Sequence, residues 1–223
     1  MKDGSQATWT TLVLLVALSV LPLHTTGQPM SLPNGEGVRA SQYVSQQWTV
    51  VDGLPVNAVN DIAQTDDRYL WIATFDGLVR FDGARFTTYQ SGGHEGLPSS
   101  RILEVETIGN VVWLLTESQH LVRMERGTFQ TVALPNVLAL YVSDNQTVWA
   151  GTGDGLFRVE HEGVAHPVQE QYIQGEVSTV HQTSEGDLWI GTLKQGVYRY
   201  AQNGALNRFT GEGRLVNTRI NSI

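Results

Sequence analysis

An all-β fold, a β-propeller of four-stranded antiparallel blades, is predicted by three features of the sequence. A motif is written four times, tight-turn dipeptides separate short β-rich runs, and both return at one period. The motif reads Trp71, Thr74, Leu78, Arg80, Gly83; then Trp113, Thr116, Leu121, Arg123, Gly127; then Trp149, Thr152, Leu156, Arg158, Gly163; and finally Trp189, Thr192, Val197, Arg199, Gly204. The tryptophans lie 42, 36 and 40 residues apart. A unit of about 40 residues that cannot bury its apolar face alone, repeated in phase, is the signature of stacked blades.

The first copy shows how one blade is written. Val59 and Ile62 flank Asn60 and Asp61, Asp66-Asp67-Arg68 makes a turn, and Leu70 to Thr74 is a short β-rich run. Asp76-Gly77 is a tight-hairpin dipeptide, Leu78 to Phe81 runs back, and Asp82-Gly83 turns into Arg85 to Tyr89. Asp-Gly suits a two-residue hairpin because both positions need positive φ, which Gly adopts freely and Asp tolerates. The second copy opens on Gly96-Leu97-Pro98, an echo of Gly53-Leu54-Pro55, but has Ser118-Gln119-His120 where the hairpin glycine belongs, so a longer or rearranged turn is expected. The third starts near Ala133-Leu134-Pro135 and regains Asp154-Gly155; the fourth runs through Val177, Val180, Trp189 and Gln195-Gly196 to Tyr198. The final residues align with the opening of the first copy, Leu215 against Leu54 and Ile223 against Ile62. The propeller is therefore expected to be incomplete, four blades plus the start of a fifth, in the N-terminal fragment of a longer protein. Gln47-Trp48-Thr49-Val50, which precedes Gly53-Leu54-Pro55 as Phe86 to Tyr89 precedes Gly96-Leu97-Pro98, is expected to be an outermost strand without a blade of its own.

Charge and composition narrow the function. A formal charge of −8 with no basic run excludes a phosphate-binding surface for nucleic acid. There is no cysteine, hence neither disulfide nor thiolate metal site. Lys2 precedes an apolar run from Leu12 to Leu23, too short to span a bilayer, and small residues follow at Thr25 and Gly27. This pattern predicts a signal peptide over residues 1–27, cleaved after Gly27, with an uncleaved anchor as the alternative. Residues 28–41, rich in Pro, Gly and Ser, are expected to be a flexible lead-in, and 42–223 the partial propeller. An exported chain without disulfides fits a bacterial periplasm or cell surface.

Gly53-Leu54-Pro55 with Asn57, Val59 and Ile62, then Leu70-Trp71-Ile72-Ala73-Thr74, Gly77-Leu78 and Arg80-Phe81-Asp82-Gly83, resembles the two-component regulator propeller repeat. Leu188-Trp189-Ile190-Gly191-Thr192 is closer still to the core of that repeat. The resemblance implies the periplasmic sensor region of a bacterial membrane receptor whose output is a histidine kinase or a diguanylate cyclase. It implies an extracellular ligand, a glycan or small molecule, and as further partners the downstream domains of the same chain and a second copy. It implies no catalysis in this segment, no cofactor and no metal, and it assigns no ligand-binding residue. The parent protein is expected to be anchored in the inner membrane. The rivals are a secreted propeller enzyme acting on glycans and a protein-interaction scaffold.

Several residue sets have both a functional and a packing reading. A tryptophan that recurs in every blade points to packing, because a binding site needs its residue once. The repeated Arg80, Arg123, Arg158 and Arg199 either line a channel for anions or lie along the blades and pair locally with carboxylates and carbonyls. Asp66-Asp67, Asp144-Asn145 and Glu185-Gly186-Asp187 resemble the Asp-box turns of sialidase-type propellers, which motivates the enzyme alternative, although turns favour these residues on hydrogen-bonding grounds alone. His161, Glu162 and His166 share a hairpin, but their spacing is not that of a zinc site.

Overall fold

The computed structural model describes residues 14–16, 44–168, 172–173, 175–210 and 220. The predicted cleavage point at Gly27, the lead-in 28–41 and the aligned tail residues Leu215 and Ile223 lie outside the described residues. Two short strands, Leu14–Val16 (β1) and Val44–Gln46 (β2), pair antiparallel with Leu14 opposite Gln46. β1 lies within the apolar run Leu12 to Leu23.

All other described strands form four antiparallel sheets of four. The first blade is Val59–Gln64 (β3), Leu70–Thr74 (β4), Gly77–Phe81 (β5) and Phe86–Tyr89 (β6). The second is Ile102–Ile108 (β7), Val111–Thr116 (β8), Leu121–Glu125 (β9) and Thr128–Thr131 (β10). The third is Val137–Val142 (β11), Val148–Thr152 (β12), Gly155–Val159 (β13) and Ala165–Val168 (β14), and the fourth Val177–Gln182 (β15), Leu188–Thr192 (β16), Val197–Tyr200 (β17) and Leu206–Phe209 (β18). The strands of each blade pair in chain order, and the first strands β3, β7, β11 and β15 contact one another in succession. This is the β-propeller that the repeat predicts, with the first strands innermost.

Blades are covered by blades, which explains why their second strands read as continuous apolar runs rather than as alternation. Every residue of β8, Val111 to Thr116, is buried. One core joins Trp71, Ala73 and Leu78 of the first blade to Ile102, Val105, Val112 and Leu114 of the second. A second joins Val111, Trp113 and Leu121 to Val137, Leu140 and Ala150, and a third joins Trp149 and Leu156 to Val177, Val180 and Ile190. A buried residue a few positions before each first strand fills a core: Leu97 and Leu134 of the Leu-Pro turns and Ile173 of the fourth blade, which lacks that turn, lie in these three, whereas Leu54 lies in a fourth with Ile72 and Val79 of the first blade.

The repeated threonine ties a turn in each blade. Thr74 Oγ1 donates to the Gly77 carbonyl at 2.7 Å and accepts the Asp76 N–H at 3.1 Å, and Thr152 does the same with Gly155 and Asp154. Thr116 and Thr192 bond to His120 and Gly196 across four-residue loops instead. The missing hairpin glycine of the second blade is thus met by a longer turn, in which Gln119 takes φ +61°.

In every blade the pairing of first and second strand skips one residue: Asn60, Leu103, Leu138 and Ser178 lie between the shifted registers. Asn60 Nδ2 donates to the carbonyl of Ile102 in the next blade, and Ser178 Oγ donates in the same way to the carbonyl of Ile220. Ile220 therefore stands beside the fourth blade as Ile102 stands beside the first, which is where a fifth blade begins. The predicted strand at Gln47 to Val50 is corrected. The strand is Val44–Gln46, and Val50–Asp52 is a 3₁₀ turn, because the Thr49 hydroxyl accepts the Val51 N–H while the Asp52 carboxylate accepts the Thr49 N–H at 2.7 Å. Trp48 between them lies against Phe81 and Phe86, with ring centroids 5.0 and 6.4 Å away.

Candidate functional site

The sequence motif supplies packing. Trp71, Trp113 and Trp149 are buried in the three interblade cores, and Trp71 Nε1 donates to Thr65 Oγ1 at 3.1 Å. Trp189 is half-buried and stacks on Phe209 at 5.6 Å. The Asp-box-like turns are built by local bonds, Thr65 Oγ1 to Asp67 at 2.5 Å and Ser143 Oγ to Asn145 at 2.5 Å. The two histidines of the third-blade hairpin do not converge. The His161 carbonyl accepts Arg123 Nε at 2.6 Å, whereas His166 Nε2 lies 3.1 Å from Glu160.

Two places carry chemistry that does not recur in all four blades. The first is on the inner strands. Asp61 and Glu104 occupy the same position after the bulge, and each reaches the next blade: Asp61 Oδ2 accepts the Val105 N–H and Glu104 Oε2 accepts the Leu140 N–H, both at 2.9 Å. The third and fourth blades have Ala139 and Thr179 there. Glu106 stands two residues along the same strand face. Burial pushes the Glu104 carboxyl up to about 7, with the Leu140 N–H opposing and the charge of Asp61 adding to the rise. Burial and then Asp61 push Glu106 up to about 7 as well, against the backbone N–H of Val142. Three carboxyl groups thus share the inner face of two blades, and two of them exchange protons near neutrality.

The second place is a cleft of about 760 Å³ on the face formed by the turns between first and second strands and between third and fourth. Tyr69, Trp71, Arg80 and Tyr89 of the first blade meet Asn110, Glu125 and Arg126 of the second there, and Gln146 and His161 of the third reach its edge. Arg80 lies opposite Trp71 across β4 and β5, as Arg123 does opposite Trp113, Arg158 opposite Trp149 and Arg199 opposite Trp189. The four differ in their partners. Arg123 reaches Glu125 at 2.6 Å as well as the His161 carbonyl, and Arg199 grips Asp187 at 2.5 and 2.7 Å. Among the described residues Arg80 and Arg158 have no hydrogen-bond or ion-pair partner. Local pairing, as expected from the sequence, holds for two arginines of the four. Arg158 is exposed to water, whereas Arg80 lays its guanidinium over the Tyr69 ring at 4.6 Å with a buried Nε that donates to nothing.

Neither place is visible as a site in the sequence. The inner carboxylates have one signal, an acidic residue two positions after the first apolar residue of the first strand, in Val59-Asn60-Asp61 and Ile102-Leu103-Glu104. The cleft has none, since the motif writes Arg80 like its siblings.

Comparisons with known proteins agree with this architecture. Residues 53–76 match the family model described as two component regulator propeller. A 51-residue stretch is 41% identical to a protein named Histidine kinase P4 from Formosa agariphila, covering 23% of this chain and 4% of that one. The extracellular domain of a putative hybrid two component system from B. thetaiotaomicron superposes over 76% of this chain and 27% of its own, with a TM-score of 0.61 and 24% identity. The extracellular domain of a putative one component system from the same organism covers 81% of this chain and 26% of its own, at 0.63 and 22%. Virginiamycin B lyase from Staphylococcus aureus shares the fold at a TM-score of 0.54 and 16% identity, covering 69% of this chain and 56% of its own. The chain spans about a quarter of the length of the two extracellular domains, and these likenesses establish the fold. Residues 53–76 therefore match the two component regulator propeller repeat, and the β-propeller that they open extends through the three blades that follow.

Proposed function

We propose that this chain is the extracytoplasmic sensing region of a bacterial membrane signalling receptor, a non-catalytic propeller that binds an extracellular molecule and passes a conformational bias to downstream domains of the same protein. The observation that carries this reading is the regulator-propeller repeat at residues 53–76, continued in phase by three further blades. The extracellular domains of the putative hybrid and one component systems, which have the same fold, support it. The signal-peptide pattern of residues 1–27 supports export to the periplasm or cell surface, with the parent protein held in the inner membrane. Output through a histidine kinase or through a diguanylate cyclase, and homodimerisation, belong to the same proposal.

The test is the reading frame beyond Ile223 in the source genome. Further blades, a membrane helix and a kinase or cyclase domain are expected. A stop codon after a few more blades would remove the receptor reading.

The second reading is a glycan-active enzyme, and one observation favours it: Asp61, Glu104 and Glu106 gather on the inner strands, and the two glutamates titrate near neutrality, where a general acid works. Turnover of a glycan panel by the exported protein, abolished by Glu106→Gln, would establish that reading in place of the first.

A further inference from the structure

We propose that the cleft between the first and second blades is a binding site for a small carboxylate that carries hydrogen-bond donors on its body, the free amino acids being the simplest such class, and that Arg80 takes the carboxylate.

Arg80 is an unanswered donor. A guanidinium carries five N–H donors in a rigid fork, and a buried donor without an acceptor costs free energy that a native structure usually avoids. Arg80 has its Nε buried and unbonded, in a chain where Arg123 and Arg199, at the same register, are both answered by carboxylates. The face of the Tyr69 ring beneath it, 4.6 Å from Cζ, fixes the plane of the fork, and with Nε closed to solvent it is the edge formed by the two Nη groups that is left for a planar acceptor. A carboxylate matches that edge with two parallel N–H···O bonds.

The surroundings choose among anions. The cleft also presents the carboxylates of Asp66, Asp67 and Glu125. Glu125 is engaged by Arg123 and Asp67 by Thr65, but Asp66 is exposed and forms no ion pair among the described residues. Arg80 and Asp66 thus line one cleft without pairing to each other. Three carboxylates repel a phosphate or a dianion and favour a ligand with one negative charge and with N–H or O–H groups elsewhere. Tyr69 and Tyr89, both half-buried, offer ring surface for the apolar part, and Asn110 and Gln146 offer amide groups. A volume of about 760 Å³ is in the range that holds small molecules.

This inference does not depend on the receptor reading, which the reading frame beyond Ile223 decides; binding in the cleft is decided with the protein in hand. The exported chain would be titrated calorimetrically with the free L-amino acids one at a time, with acetate and inorganic phosphate beside them. At least one amino acid is expected to bind at millimolar or tighter affinity, with acetate weaker and phosphate weaker still. Arg80→Gln should weaken that binding at least tenfold, Arg80→Lys should weaken it less because it keeps the charge without the fork, and Arg158→Gln should leave it unchanged. Unaltered near-ultraviolet circular dichroism of each variant separates loss of the site from loss of the fold. The proposal is overturned if no amino acid binds, if phosphate binds as well as the best amino acid, or if a folded Arg80→Gln protein binds like the parent.

Discussion

Glu104→Gln should make the protein more stable at pH 8 while changing little at pH 5. In the folded chain the carboxyls of Glu104 and Glu106 are held at about 7, chiefly by burial, against 4.5 for the free group. A raised carboxyl works against folding in its charged form. The unfolded chain gives up its proton near 4.5, the folded chain only near 7, so between those limits the folded state binds more protons and stability falls as pH rises. At 1.36 kcal/mol per unit, a rise of about 2.5 units would cost roughly 3 kcal/mol for each group above pH 7. Both side chains are half-buried and not sealed, and screening by solvent brings the expected cost to about 1 to 2 kcal/mol each.

Glutamine keeps the carbonyl oxygen that accepts the Leu140 N–H and cannot ionise, so it isolates the charge. The measurement is urea unfolding of parent and variant at pH 5, 6, 7 and 8. The parent should lose stability across that span, and the variant should lose about 1 to 2 kcal/mol less. The charge of Asp61 raises both glutamates, so Asp61→Asn should flatten the same curve from the neighbouring blade. Equal stability of the parent at pH 5 and 8, or a variant weaker than the parent at pH 8, would rule out a buried-carboxylate origin for the effect.

Four other substitutions test the packing. Trp113→Ala, at a fully buried ring, should cost about 3 to 5 kcal/mol in thermal or urea unfolding, and Trp189→Ala, at a half-buried one, clearly less. Gly151→Ala should be strongly destabilising by the same measurement, because the new Cβ would lie 2.6 Å from the Val177 carbonyl oxygen of the next blade, and a backbone atom cannot step aside. Thr74→Val should lose about 1 to 3 kcal/mol, since the Asp76 N–H and the Gly77 carbonyl lose their shared partner in a buried turn; an unchanged midpoint would show that water replaces the hydroxyl.

The fold is legible because packing repeats. Tryptophan, threonine and leucine return at fixed offsets, and the structure gives each a job: Trp71, Trp113 and Trp149 fill the seams between blades, the threonines tie the hairpins, and Leu78, Leu121 and Leu156 are buried against the neighbouring sheet. Where the text departs from the repeat, the structure substitutes locally, with Ile173 for the missing leucine and Gln119 at positive φ for the missing glycine. The strand expected at Gln47 to Val50 fails for a reason of the same kind, a capping box between Thr49 and Asp52 that closes a turn within four residues. The inner carboxylates are not legible, because a bulge at Asn60 and at Leu103 breaks the alternation by which a reader assigns Asp61 and Glu104 to a face.

In a protein made of copies, recurrence separates structure from function only in part. A residue found in all four blades is explained by what all four blades need, and one found once by what a single place needs. Asp61 and Glu104 fall on the second side of that line, since Ala139 and Thr179 hold the same register without a carboxylate. Arg80 falls on both. Its position is common to every blade, and its stem has the same cross-strand tryptophan as its siblings. Its head differs from Arg123 and Arg199 because Asp82, at the place of Glu125, gives its Oδ1 to the Ala84 and Arg85 N–H groups instead, and Tyr69 stands at the place of Asp187. It differs from Arg158, which also lacks a partner, because water reaches Arg158 while the Arg80 Nε is shut off from it. A common residue stripped of its common partner, facing a cleft and held by an aromatic ring, is where a repeat acquires a use of its own.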